Sequence, residues 1–153
     1  MDSIDRNILA ILQDDSAIAV AEIAERVGLS ATPCWRRIQN LEKAGVVRGR
    51  VALLDPRALN VGVTVFVGLK TGQHSHKWLE EFATNIAAID EVVEFYRMSG
   101  DVDYLLKVVV PDIAGYDAVY KRLIAAVEFS DVSSSFAMEE IKYTTALPLK
   151  YAP

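Results

Sequence analysis

Basic and amide side chains gather on one face of a helix that the sequence predicts over residues 31–44. At 100° per residue, Cys34, Ile38 and Leu41 fall within one narrow arc, and the polar positions fall opposite it or on its flanks. Arginine pairs well with guanine, and glutamine or asparagine with adenine. The candidate contacts, which include the residues that open the helix and two arginines that follow it, are Ser30, Thr32, Pro33, Trp35, Arg36, Arg37, Gln39, Asn40, Lys43, Arg48 and Arg50. As a set they suit the bases and phosphates of DNA, whereas any one of them alone could belong to an ordinary solvated helix face.

The distribution of charge supports DNA contact better than the net charge of -5 does. Residues 1–25 carry one base and six acids, and residues 51–153 carry nine bases and fourteen acids. Residues 26–50 carry six bases and one acid. Phosphate contact requires a local basic patch rather than a high overall pI. The basic patch of residues 26–50 coincides with the predicted polar helix and the two arginines that follow it.

Three short helices must position these side chains. Apolar residues at helical spacing predict them over residues 3–13, 20–27 and 31–44. Gly28 ends the second helix, and the third begins with Ser30 as N-cap and Pro33 in its first turn. Gly45 stands where a C-terminal glycine cap is expected. Two short helices joined by a glycine-containing turn predict a helix-turn-helix, whose second helix enters the major groove.

A basic segment and a linker follow the third helix. The Arg48-Gly49-Arg50 sequence is predicted as the tip of a short hairpin, or wing, that touches phosphate. Asp55, Pro56 and Asn60 are typical of a linker. The sequence therefore predicts a DNA-binding domain over residues 1–54 and a linker over residues 55–60.

The second half alternates strands and helices, which predicts a separate domain over residues 61–153. Period-two alternation and helical spacing give the order β-α-β-β-α-β, the ferredoxin-like motif, and hence an α+β protein. The predicted elements span residues 61–69, 76–88, 92–98, 103–110, 112–126 and 132–143. The apolar phase of the last strand switches near Glu139 and Glu140, which predicts a β-bulge there.

Other residues able to do chemistry have no suitable neighbours in the sequence. Cys34 has the inward phase of a buried core residue, with a redox-sensing thiol as the alternative. His74 and His76 lie in a predicted surface loop, and with a single cysteine they argue against a zinc site. Asp101 and Asp103 lack a nucleophile, an oxyanion donor or a phosphate-binding glycine loop. We therefore expect no enzymatic activity, no metal and no cofactor.

Composition also bears on location. No apolar run approaches the ~20 residues of a membrane span, and the acidic N-terminus lacks the apolar region of a signal peptide. A single cysteine cannot form an internal disulfide, which fits a reducing compartment. We expect a cytoplasmic protein with no membrane partner.

The sequence resembles the leucine-responsive and asparagine-responsive, or feast/famine, transcription regulators. The matching segments are residues 4–9, 27–30, 32–34, 36–38, 41–42, 45–47, 52–56, 99–106 and 138–142. The resemblance implies an N-terminal winged helix-turn-helix that binds double-stranded DNA. It further implies a C-terminal ferredoxin-like domain that senses an amino acid, and homodimers with paired sheets that assemble into tetramers or octamers.

The resemblance also implies an effector site between dimers, near the Gly-Asp-x-Asp-Tyr loop and the last strand. Carried over to this sequence, its residues are Ser99, Gly100, Asp101, Asp103, Tyr104, Ser134, Ser135, Phe136 and Ala137. Carboxylates and backbone carbonyls suit an α-amino group, while turn N–H groups and hydroxyls suit an α-carboxylate.

A finer resemblance points to the cysteine-responsive subgroup, whose members activate cysteine desulfidase or related detoxification genes. It rests on residues 70–71, 74–75, 95–98, 116–117, 120–123, 134–138, 141–145 and 147–148. Ser133, Ser134 and Ser135 also depart from the more aliphatic pattern of leucine sensors. Two alternatives stay open at this point: a leucine-type global regulator, and a small metabolic enzyme or regulatory subunit on a ferredoxin-like fold. The second leaves Arg36, Arg37 and the basic segment unexplained.

Overall fold

The computed structural model describes residues 1–72, 75–126 and 129–153. His74 of the predicted surface loop lies outside these residues, whereas His76 begins a helix and does not lie in a loop. The elements in chain order are α1 (Ser3–Asp14), α2 (Val20–Arg26), α3 (Ala31–Lys43), β1 (Val63–Lys70), α4 (His76–Ala87), β2 (Val92–Arg97), β3 (Tyr104–Val110), α5 (Ile113–Ala126), β4 (Asp131–Phe136) and a 3₁₀ turn (Leu149–Tyr151). They form two compact units, one of residues 1–53 with 141–153 and one of residues 54–140.

In the first unit, α1, α2 and α3 bury one apolar core. Ile8 from α1, Ile23 from α2 and Ile38 from α3 are all almost fully buried. Cys34 and Leu41 complete the inward stripe of α3, as its periodicity predicts. Because α3 buries this stripe, its opposite face is left to solvent.

Two glycines end the helices and orient the turn. Gly28 and Gly45 both adopt the left-handed conformation, with φ of 71° in each case. After α2, the Leu29 N–H donates to the Ala24 carbonyl, and after α3 the Val46 N–H donates to the Leu41 carbonyl. These are the long-range bonds of the Schellman motif, in which glycine avoids the strain of a Cβ. Gly28 therefore allows the chain to turn between α2 and α3, as the helix-turn-helix prediction requires.

In the second unit, a four-stranded antiparallel sheet has the order β2-β3-β1-β4. The alternate residues Val65 and Val67 of β1 and Leu106 of β3 pack against Phe82 of α4 and Leu123 of α5. The opposite face of the sheet carries no helix among the described elements. Helices on one face of an antiparallel βαββαβ sheet confirm the predicted α+β, ferredoxin-like class.

The last strand is shorter than the alternation of its residues predicts. β4 ends at Phe136, and residues 137–148 form no strand in the described part of the chain. The reason is its partner: Phe136 pairs with Val65, and β1 begins only two residues before that. The predicted bulge near residues 139–140 is therefore wrong, and the irregularity that does occur lies in β2, between Val92 and Glu94.

Two further segments differ from what the sequence predicts: the basic segment around Arg48 and Arg50, and the C-terminal residues 141–153. Residues 44–62 contain no strand among the described residues, so Arg48 and Arg50 lie on an irregular segment rather than on a paired hairpin. Residues 141–153 group with the N-terminal unit instead of the C-terminal one, because Leu149 packs on its core. No described helix is long and apolar enough to cross a membrane.

Candidate nucleic-acid interface and ligand site

The outward face of α3 presents polar side chains to solvent. Arg36, Asn40 and Lys43 are exposed, as is Thr32 one turn earlier. Within residues 1–72, 75–126 and 129–153, none of these four side chains makes a hydrogen bond or an ion pair, so their donors and acceptors are available. Trp35 on the flank is 51% exposed, which leaves its ring and indole N–H accessible as well.

The N-terminus of α3 is open. Ser30 occupies the N-cap position, as predicted, but its hydroxyl makes no capping hydrogen bond. Pro33 has no N–H, and the first bond into the helix runs from the Cys34 N–H to the Ser30 carbonyl. The unpaired N–H groups of a helix N-terminus, with its positive dipole, form a site suited to a phosphate group.

Arg37 has a different environment from Arg36. Its Nη1 donates to Asp2 Oδ2 at 2.7 Å and to Asp5 Oδ1 at 2.8 Å. The same two carboxylates form the capping box of α1, in which the Asp5 N–H donates to Asp2 Oδ1 at 2.8 Å. The pKa of Asp2 is lowered by that backbone N–H and then by Arg37, and the two aspartates raise the pKa of Arg37. Arg37 therefore fastens α3 to the start of α1.

Two further candidates share a partner that the sequence does not single out. Gln39 Nε2 donates to Glu42 Oε2 at 2.8 Å, and Arg50 Nη2 donates to Glu42 Oε1 at 2.9 Å. Arg48 is exposed on the same irregular segment as Arg50. The structure thus divides the eleven candidate contacts into available side chains, a pair held by Glu42, and Arg37, which is held by α1.

The loop between β2 and β3 carries the first half of the predicted effector site. Ser99, Gly100 and Asp101 are exposed, and Gly100 has a φ of 125°, a conformation that suits glycine alone. Asp101 Oδ1 accepts a hydrogen bond from Lys70 Nζ at 3.0 Å, which raises the pKa of Lys70. The charge of Asp131, which pairs with Lys70 across the sheet, also raises the pKa of Lys70.

Asp103 and Tyr104 have structural partners in the same loop. The Asp103 carboxylate accepts the Thr71 N–H at 2.8 Å, and the Asp103 N–H donates to the Leu69 carbonyl at 2.9 Å. Asp103 thereby holds the loop against the end of β1. Tyr104 is only 5% exposed and its ring packs 4.9 Å from that of Phe82, so it is a core residue.

The second half of the predicted site is split between the two faces of the sheet. Ser134 and Phe136 face α5, where Ser134 hydrogen-bonds the Tyr116 hydroxyl and the Phe136 ring lies edge-on to Tyr116 at 5.3 Å. Ser135 pairs with Phe66, which is on the opposite, helix-free face. Burial raises the pKa of Tyr116, so its hydroxyl stays protonated. Ala137 follows the strand and donates its N–H to the Thr64 carbonyl.

One chain does not bring the two halves of the predicted site together. The loop is attached to β1 at Lys70, whereas Ser135 is attached at Phe66. Four residues of a strand separate these points by about 13 Å. Asp101 and Ser135 therefore lie apart along β1 within one chain, although Val102 of the loop and Ser133 of β4 both lie beside Gly68.

Two profiles of known domains match almost the entire chain. Residues 1–48 match the winged helix-turn-helix DNA-binding domain, and residues 64–147 match the Lrp/AsnC ligand binding domain. The chain belongs to the Lrp/AsnC family. Its family consists of amino-acid-responsive, DNA-binding transcription regulators, and this chain is accordingly a regulator rather than an enzyme.

Relatives of known role are similar over nearly their full length. The DNA-binding transcriptional activator DecR of Escherichia coli is 49% identical over 98% of this chain and 99% of its own. The glutamate uptake regulatory protein of Zymomonas mobilis is 48% identical over 97% of this chain and 91% of its own. The Lrp/AsnC assignment therefore extends across both units.

Solved structures of this family reproduce the fold. An AsnC family transcriptional regulator from Agrobacterium tumefaciens is 65% identical, covers 100% of both chains and has a TM-score of 0.98. A transcriptional regulator from Neisseria meningitidis, solved as a complex with L-Met, is 36% identical over 97% of both chains, with a TM-score of 0.92.

Several residues of these surfaces escaped the sequence analysis. Glu42, Lys70, Thr71 and Tyr116 all contact a candidate residue directly. Glu42 could have been found, since it is the one acid within residues 26–50 and stands three residues after Gln39. The other three are distant in sequence from the residues that they contact.

Proposed function

We propose that the chain is a cytoplasmic transcription regulator in which α3 reads the major groove and a bound amino acid, cysteine being the first candidate, changes the occupancy of DNA. The single observation that carries the DNA-binding surface is the row Arg36, Asn40 and Lys43 on α3, which is exposed and has no partner among the described residues. In this proposal residues 1–54 bind DNA, residues 55–60 are a linker, and the domain that begins at residue 61 binds the effector and a second chain.

The contacts divide by chemistry. Thr32, Arg36 and Asn40 lie along the outward face of α3 and suit base edges. Ser30, the free N–H groups at the start of α3 and Arg48 suit phosphates, which position a protein without reading sequence. Two copies related by a two-fold axis would read half-sites roughly one helical turn apart.

Association of two chains is supported by the helix-free face of the sheet. Phe66 and Tyr96 are 40% and 50% exposed on this face, and they flank the partly buried Leu105. Lys107 and Glu94 form an ion pair on the same face. Exposed aromatic side chains on a sheet face suit contact with another chain. A paired sheet agrees with the resemblance, and further assembly would bring the loop of one chain near β4 of another.

Cysteine as effector is supported by the resemblance of residues 134–138, 141–145 and 147–148 to the cysteine-responsive subgroup. The hydroxyls of Ser133 and Ser135 make a polar surface on β4, in place of the aliphatic side chains expected for a leucine sensor. The L-Met complex of the Neisseria relative supports an amino-acid effector in general. The name of the Zymomonas relative makes glutamate the second candidate.

A thermal-shift screen against the twenty amino acids, with cysteine under reducing conditions, tests the effector proposal. A ligand present at 100 times its dissociation constant adds about 2.7 kcal/mol to the stability of the folded state. We expect a selective rise in Tm with L-cysteine and no rise with D-cysteine. A selective rise with glutamate or leucine instead would reject cysteine, and no rise with any amino acid would reject an amino-acid effector.

A further inference from the structure

Glu42 connects two candidate DNA contacts that belong to different segments. One carboxylate oxygen accepts the Gln39 amide N–H at 2.8 Å, and the other accepts the Arg50 guanidinium N–H at 2.9 Å. Gln39 lies one turn earlier on α3, whereas Arg50 lies beyond the Gly45 turn, on the irregular basic segment. A single side chain thus relates the helix face to the arginine that follows it.

Neither helix stability nor overall folding explains an acid at this position. Glu42 lies in the last turn of α3, where the helix dipole disfavours a negative charge. Its ion pair with Arg50 is exposed, with 34% and 43% of the two side chains accessible, and exposed pairs add little to stability. Glu42 is also the one acid within residues 26–50, beside a surface suited to phosphate.

The contact with Gln39 fixes which way its amide points. A carboxylate only accepts hydrogen bonds, so the NH₂ group of Gln39 must face Glu42. The second N–H of that group and the amide oxygen are then directed away from Glu42 in one orientation. This is the donor and acceptor pair that adenine requires. Without Glu42 the amide could rotate and present the opposite order.

The contact with Arg50 holds its guanidinium beside the end of α3. Arginine has five N–H donors, so a bond to Glu42 leaves others for a phosphate group. The negative charge of Glu42 at the same time weakens the attraction of this region for any phosphate. By this reasoning Glu42 favours DNA contacts in which Gln39 and Arg50 keep these orientations, and it disfavours binding to DNA in other registers.

We propose that Glu42 is a positioning residue that sets sequence discrimination, by orienting Gln39 towards a base and Arg50 towards a phosphate while lowering non-specific affinity. This inference rests on the proposed DNA contacts of Gln39 and Arg50. It makes Glu42→Gln a variant with higher affinity for arbitrary DNA and lower selectivity.

The test compares the wild type with Glu42→Gln and with the matched control Asp14→Asn. Asp14 is an exposed acid at the end of α1, so its change alters the net charge and a helix C-terminus in the same way. Affinities are measured by fluorescence anisotropy for a duplex that the wild type enriches from a random library, and for a scrambled duplex of equal composition. Tm is measured for each variant.

We expect Glu42→Gln to bind the scrambled duplex about threefold more tightly, since a like charge near phosphate is removed. We expect its ratio of selected to scrambled affinity to fall about tenfold, the size of one weakened base contact. Asp14→Asn should keep the wild-type ratio. In a Gln39→Ala background the change at Glu42 should no longer alter the ratio, and in an Arg50→Ala background its effect on scrambled DNA should shrink.

The role given to Glu42 is overturned if Glu42→Gln keeps the wild-type ratio of selected to scrambled affinity. It is also overturned if Glu42→Gln lowers that ratio as much in the Gln39→Ala background as in the wild type. Arg36→Ala distinguishes this failure from failure of the proposed DNA surface. If Arg36→Ala loses affinity and Glu42→Gln keeps its ratio, only the inference about Glu42 fails. If Arg36→Ala binds like the wild type, the proposed surface fails, and the inference about Glu42 fails with it.

Discussion

Gln13 and Leu147, 134 residues apart in sequence, form two hydrogen bonds with each other. The Leu147 N–H donates to Gln13 Oε1 at 2.7 Å, and Gln13 Nε2 donates to the Leu147 carbonyl at 3.3 Å. Two residues later, Leu149 packs on the core of the three helices. The C-terminal segment is thus fastened to α1, and α1 is fastened through Asp2 and Asp5 to Arg37 of α3.

Gln13→Ala should release this segment from α1. Each lost hydrogen bond contributes about 1 kcal/mol to stability, so we expect the free energy of unfolding to fall by about 1–2 kcal/mol. Urea denaturation measures this fall, and limited proteolysis should show faster cleavage within residues 141–148. Asn85→Ala, at an exposed amide on α4, is the control and should change neither quantity. Equal behaviour of the two variants would contradict the attachment.

Arg36 and Arg37 should separate in their effects, although they are adjacent. Arg36→Ala should leave Tm unchanged and weaken binding of the selected duplex about 5- to 150-fold, the size of one base contact. Arg37→Ala should lower Tm, because both ion pairs to the α1 capping box are lost. Circular dichroism melting and anisotropy on both variants check this. A stable Arg37→Ala variant that fails to bind DNA would return Arg37 to the set of direct contacts.

Acid should destabilise the first unit partly through Asp2. Its folded-state pKa lies below the ordinary value of 3.8, first because the Asp5 N–H bonds it and then because Arg37 does. The stabilisation is therefore present above pH 3.8 and is lost as the pH falls through the lowered folded pKa. In Arg37→Ala the pKa of Asp2 should move back towards 3.8 without reaching it, since the backbone bond remains. NMR titration of the Asp2 carboxyl carbon measures the shift, and an unchanged pKa would refute the contact.

Gly68 should not tolerate a methyl group. A Cβ at this position would lie 2.9 Å from Ser133 Oγ and 3.0 Å from Val102 Cγ1, and β1 is flanked by strands on both sides. We expect Gly68→Ala to cost about 1–3 kcal/mol of stability by overpacking. Gly49→Ala, where a Cβ meets nothing within 4 Å, is the control. Adding Ser133→Ala to Gly68→Ala should restore part of the loss, and no restoration would contradict the close approach.

Asp103→Ala should separate sensing from DNA binding. The carboxylate of Asp103 holds Thr71 and thereby the loop that carries Gly100 and Asp101. We expect the variant to bind the selected duplex like the wild type and to lose its response to cysteine. Asp112→Ala, which loses a comparable carboxylate bond to the Gly115 N–H at the start of α5, is the control and should keep the response. A full response in Asp103→Ala would exclude a role for this loop.

Local patterns were sufficient for the three helices of the first unit and for the order of the elements in the second. The inward stripe of Cys34, Ile38 and Leu41 is a property of one helix, and the caps at Gly28 and Gly45 depend on neighbouring residues. These predictions are confirmed because few distant residues are involved. The βαββαβ order followed for the same reason, from the periodicity of each segment.

Contacts between residues that are distant in sequence could not be predicted from the sequence. Arg36 and Arg37 are equivalent candidates in the sequence, and only the fold shows that Asp2 and Asp5, more than thirty residues earlier, bind Arg37. Similarly, the apolar alternation of the sequence continues after Phe136, but β1 begins only two residues before Val65, the partner of Phe136, so the strand cannot pair as far as residue 143. Tyr104 was assigned to the effector by resemblance, whereas its packing against Phe82 needs the sheet and α4 together.

The affinity of wild type and Arg36→Ala for the selected duplex, measured side by side across a series of salt concentrations, tests the central claim most directly. We predict that the wild-type affinity falls steeply with salt, by about 10³-fold or more between 50 and 200 mM if a dimer contacts six or more phosphates. We predict that Arg36→Ala is weaker at every salt concentration, with a similar slope. Equal affinities of the two proteins, or wild-type binding that does not respond to salt, would contradict the account.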